Sequence, residues 1–86
     1  IEKVLIKNNI SFSPHNPSGP ISHAHTLQIC GATHEDSLIE HQFKESIYFD
    51  KLLKTPNPEI KQGKSLIPKN NYGLGVDINK LELKYI

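Results

Sequence analysis

Eighty-six residues, 36% of them hydrophobic and none Trp, make at most one small domain with an aliphatic core and a thin stability margin. A net charge of +1, with ten scattered lysines and no arginine, excludes a nucleic-acid footprint, and no apolar run approaches the roughly 18 residues of a membrane span. A single cysteine, Cys30, excludes an internal disulfide and points to a reducing, cytoplasmic setting.

The opening "IEKVLIKNN" has the spacing of the last turns of an amphipathic helix, with Ile1, Val4 and Leu5 on one face and Lys3 and Lys7 late, where positive charge suits the dipole. Asn8 and Asn9 terminate it, because Asn tolerates the left-handed conformation. Ile10 to Pro14 alternate like a short strand. A Pro/Gly turn follows, and Pro20 then opens a helix capped by Ser18 or Gly19 and running to Gly31–Thr33, its inward stripe Ile21, Ala24, Leu27, Gln28 and Gly31. "LIEHQF", Leu38 to Phe43, reads as a second strand. Helix, strand, helix, strand argues for parallel strands with helical crossovers, yet two strands cannot hold such a sheet alone. From Lys44 the chain changes character. "ESIYFDKLL" reads as a short helix or turn, a hairpin is expected around Gly63, and Asp77 caps a last helix through Ile78, Leu81 and Tyr85. With no Met and an opening in mid-helix, the chain reads as a piece of something longer.

Five histidines are the candidates for chemistry. His23 and His25, two apart on a helix, point roughly 200° apart and cannot chelate one metal from one face; with His34 they read as surface histidines. No metal-ligand spacing appears. "GLGVD" lacks the context of a phosphate loop, and its glycines read as a turn with positive φ. His15 differs, because it ends a strand, where function gathers in parallel α/β folds, and imidazole moves protons near neutral pH. Glu40 sits among apolar neighbours in the next strand, so it is misplaced, paired or functional. On adjacent strands, His15 and Glu40 can face one pocket.

"PHNPSGPISHAHTLQICGAT", then "LIEHQF", then a tail closing on "YGLGVDINKLELKYI" together resemble the C-terminal end of the mandelate racemase/muconate lactonizing enzyme family of the enolase superfamily, within it the galactonate-type sugar-acid dehydratases. The resemblance covers essentially the whole chain. It implies an α/β fold: residues 1–43 are the end of a modified (β/α)7β TIM barrel (helix 6 end, strand 7, helix 7, strand 8), and residues 44–86 are a tail completing the capping domain. It implies His15 as the general acid/base, Glu40 as the group that hydrogen-bonds the substrate carboxylate, and Asn16 and Ser18 as substrate-binding residues. It also implies Mg²⁺, a sugar-acid substrate and proton abstraction α to a carboxylate.

The metal-binding carboxylates of such enzymes lie on strands three to five, and none of those strands is in this sequence. As a lone chain the fold is incomplete, and the expectation is an inactive fragment that self-associates as a homo-oligomer, with no nucleic-acid or membrane partner. The alternatives are a racemase or epimerase parent, or a small non-catalytic self-associating module.

Overall fold

The computed structural model describes residues 1–33, 37–42, 46–56, 58–68 and 71–85. Helix α1 spans Glu2–Lys7 and α2 spans Pro20–Ala32; strands β1 (Ile60–Lys61) and β2 (Lys64–Ser65) form an antiparallel hairpin, and a 3-10 turn covers Glu82–Tyr85. The chain measures 46 × 27 × 26 Å with a radius of gyration of 14.2 Å. A compact chain of this length has about 12 Å, so the molecule is elongated around a small core.

Helix α1 ends as Asn predicts. Asn9 takes φ 57, its N–H donates to Ile6 O, and Ile10 N–H donates to Leu5 O at 2.9 Å. Those two bonds close a Schellman motif and satisfy carbonyls that a helix end otherwise leaves bare. No α1 residue is buried.

Gly19 caps α2 through its backbone, and Pro20 occupies the first turn, where its missing N–H costs nothing. The buried face is Pro20, His23, Ala24, Thr26, Leu27 and Cys30. That face is turned from the expected stripe. His23, read as a surface residue, is 3% exposed. Phe49 and Leu53, from the segment after the second expected strand, complete the core.

Two expected strands are corrected. Residues 10–14 and 37–42 are neither helical nor paired in a ladder; Phe43 and His34 lie outside the described residues. A parallel ladder needs neighbours on both sides to satisfy its backbone, and among the described residues no parallel pairing exists. The chain is a small mixed helix/strand structure, with no barrel segment shown by it. Residues 46–51 form turns, one of the two forms expected there.

The expected final helix is also largely replaced. Ile78 bridges Leu53 antiparallel, with Lys54 N–H donating to Asp77 O and Asn79 N–H to Leu52 O, both at 2.8 Å. These backbone bonds override the helical spacing of Ile78, Leu81 and Tyr85, and Asn79 rather than Asp77 heads the short 3-10 turn by accepting from Leu81 and Glu82 N–H.

The hairpin turns at Gln62–Gly63, as expected, with Gly63 at φ 72. Gly73 and Gly75 also take positive φ, 58 and 79. A Cβ on Gly75 would lie 2.6 Å from Pro68 Cβ, whereas one on Gly73 meets nothing within 4 Å. Gly73→Ala is therefore expected to cost about 1 kcal/mol, the left-handed penalty alone. Gly75→Ala is expected to cost at least about 2 kcal/mol, because overpacking adds to it. Urea midpoints of the two variants check this ordering.

Candidate functional site

His15 sits in "SPHNPSGP", where Pro14 and Pro17 restrict the backbone on either side. Its Nδ1 faces Glu40 Oε2 in direct contact, and the side chains are 77% and 44% exposed. The two candidate residues from separate segments therefore meet. So exposed an ion pair adds at most about 1 kcal/mol to stability. Its importance is chemical. With Nδ1–H donating to the carboxylate, the neutral ring carries its lone pair on Nε2, free to accept a proton.

The residue beside His15 is tied to α2. Asn16, next to His15, is 6% exposed. Its Nδ2 donates to Thr26 Oγ1, and its Oδ1 accepts from Ser22 Oγ at 2.9 Å and from Ser18 N–H at 3.2 Å. Thr26 Oγ1 in turn donates to Ser22 O. The expectation that Asn16 binds substrate meets a physical obstacle: its amide is buried and committed to the helix. Ser18 remains exposed, with its backbone N–H in the Asx turn.

His41, next to Glu40, lies against His23 of α2 with ring centroids 4.0 Å apart, and edge-on to Phe49 at 6.1 Å. Neither ring nitrogen of His23 has a hydrogen-bond partner among the described residues. Burial first, then the neighbouring His41 charge, push His23 down to about 4. Burial lowers His41 as well. Both rings are thus uncharged at neutral pH and act as packing surface.

Sequence reasoning found His15 and Glu40 but missed His23, His41, Ser22 and Thr26. A signal existed. His23, Leu27 and Cys30 follow i, i+4, i+7, and alternation along "LIEHQF" puts His41 opposite to Glu40. His25 is exposed, as expected.

An open cleft of about 460 Å³ lies at the start of α2, lined by Gly19, Pro20, Ile21, Ser22, His25 and Leu52. Neither His15 nor Glu40 lines it. No group of three or more His, Cys, Asp or Glu among the described residues can hold a metal ion. Glu40 already faces His15, and a hard cation such as Mg²⁺ wants several oxygen ligands in near-octahedral array. Among the described residues, the donors do not fit Mg²⁺. Among the described residues no helix is long and apolar enough to cross a membrane.

A family model described as enolase C-terminal domain-like covers residues 3–82. No curated protein and no solved structure matches the chain. Enolase-superfamily proteins generally use Mg²⁺; no donor set for it is assembled among the described residues. With the match spanning all but two residues at one end and four at the other, the chain belongs to the enolase C-terminal domain-like family.

Proposed function

We propose that this chain supplies the acid–base corner of a Mg²⁺-dependent enzyme that removes the proton α to a carboxylate, and that the reaction is dehydration of a galactonate-type sugar acid. The observation carrying this reading is the His15–Glu40 contact on an accessible surface in a chain of this family. Nε2 of His15 takes the α-proton: the C–H bond breaks, an N–H bond forms, and the electron pair moves into the carboxylate as an enediolate. Glu40, accepting from Nδ1–H, favours the imidazolium that results. The new Nε2–H then protonates the departing β-hydroxyl, which leaves as water, and the enol becomes a 2-keto acid. The ring is returned to its starting state.

Charge on the enediolate needs more stabilisation than one imidazolium, itself paired with a carboxylate, provides. The described residues offer no cation site for it, so in this reading the chain alone does not turn over. The test begins with the natural polypeptide, isolated by an antibody to the His15 turn and weighed intact under denaturing conditions. Incubated with Mg²⁺ and a panel of aldonic acids in D₂O, it is expected to give a 2-keto acid bearing deuterium at C3. Deuterium at Cα of an epimerised acid would instead make it a racemase or epimerase. No exchange with any acid, from a polypeptide that retains this segment and binds Mg²⁺, would remove the reading.

A further inference from the structure

His15 and Glu40 are each held by the residue that follows. Asn16 reaches α2 through Ser22 and Thr26, and His41 reaches it through His23. All three receiving residues lie within one helical turn, 22–26. We propose that Asn16 and His41 are positioning residues, and that the 22–26 turn of α2 sets the distance and angle between His15 and Glu40. This rests on reading that pair as the acid–base site.

An ion pair between side chains 77% and 44% exposed does not hold its own geometry, because rotamer freedom and water compete with it. Asn16, buried one residue along, does not have that freedom, and His41, half-buried, packs its ring on buried His23. The Asn16 amide uses donor and acceptor at once, bonding both hydroxyls of an i, i+4 pair on α2. Thr26 Oγ1 is itself tied to the Ser22 carbonyl, so the anchor belongs to the helix backbone. On the other side, the half-buried His41 ring packs at a tilt on the buried His23 ring, with Phe49 edge-on to His41. The two segments make no ladder with each other among the described residues. The helix is their common reference, and an acid–base pair depends on such supporting contacts to fix tautomer and orientation.

The test reads the His15 tautomer, which a merely structural role would not move. In the ¹⁵N-labelled 86-residue chain above pH 7.5, long-range proton–nitrogen correlations distinguish Nδ1–H from Nε2–H. Wild type is expected to be mainly Nδ1–H, and Glu40→Gln to shift toward the Nε2–H form that free imidazole prefers. Thr26→Val, which keeps shape and loses the hydroxyl, is expected to lower the Nδ1–H to Nε2–H ratio about five- to tenfold, the scale of one lost hydrogen bond. Thr26→Ser is expected to restore it, and His41→Ala to lower it from the other side. A folded Thr26→Val or His41→Ala with the wild-type ratio overturns the positioning role and leaves the pair intact. A wild-type ring that is not Nδ1–H overturns both the role and the reading of the pair, so the two failures are distinct. Ser22→Ala at an exposed position, expected to move the ratio in the same direction, keeps the test decisive if Thr26→Val does not fold.

Discussion

His15→Asn in the natural polypeptide is expected to lower sugar-acid turnover about 10²- to 10⁴-fold, the range for losing a general acid/base. Asn is the informative replacement. Its amide can still donate to Glu40, so the carboxylate is not stranded, while the proton-accepting Nε2 is gone. The loss should therefore fall on kcat and kcat/KM together, as for an interaction made only in the transition state. Steady-state rates of 2-keto acid formation, compared at equal Mg²⁺, give the answer. A variant within threefold of wild type would show that the proton moves elsewhere, and His15 would be a turn residue only. Loss of substrate affinity with kcat unchanged would instead give His15 a binding role.

The second large effect concerns stability and pH. His23 titrates near 4 in the fold against 6.5 when unfolded. Between those values the unfolded chain binds more protons, so stability falls as pH drops through 6.5 toward 4 and is fully present above 6.5. At pH 5 the loss from His23 is about 2 kcal/mol, and His41, also lowered, adds to it in the same direction. His23→Leu removes the His23 titration and fills the site with an apolar side chain. It is expected to be more stable than wild type by about 2 kcal/mol at pH 5, with a smaller difference at pH 7.5. Urea unfolding at the two pH values measures this. Equal acid sensitivity in both proteins would mean that His23 is not what weakens the fold. The same variant takes away the ring on which His41 rests, so a gain in acid stability and a looser His15–Glu40 pair should come together.

Local chemistry was legible in the sequence, and the distant pairings were not. Asn9 stops α1, Pro20 starts α2, and Gly63, Gly73 and Gly75 turn the chain, because each depends on the residue's own backbone preference. The meeting of His15 with Glu40 was expected too, but from adjacent parallel strands that the fold does not form. The pattern at Ile10 to Pro14 and Leu38 to Gln42 suggested strands, but a ladder is a property of neighbours, and alternation alone does not supply them. Helical spacing after Asp77 lost to the backbone bonds with residues 52–54 for the same reason. The resemblance implies a substrate contact for Asn16, while in the fold its amide is hydrogen-bonded to hydroxyls six and ten residues along the chain. His23 was misjudged because a histidine counts as polar in a periodicity count, although its ring buries like an aromatic when nothing charges it.

Cys30 lies near the far end of α2, 7% exposed, with its thiol pushed up by burial against a smaller opposing effect from Ser37. A thiol held protonated and covered reacts slowly with alkylating reagents. Because the chain has no other cysteine, every labelling event reports the same place. The rate at which Cys30 accepts a probe is therefore a built-in clock for the lifting of α2 from the core, and it keeps time without any introduced cysteine.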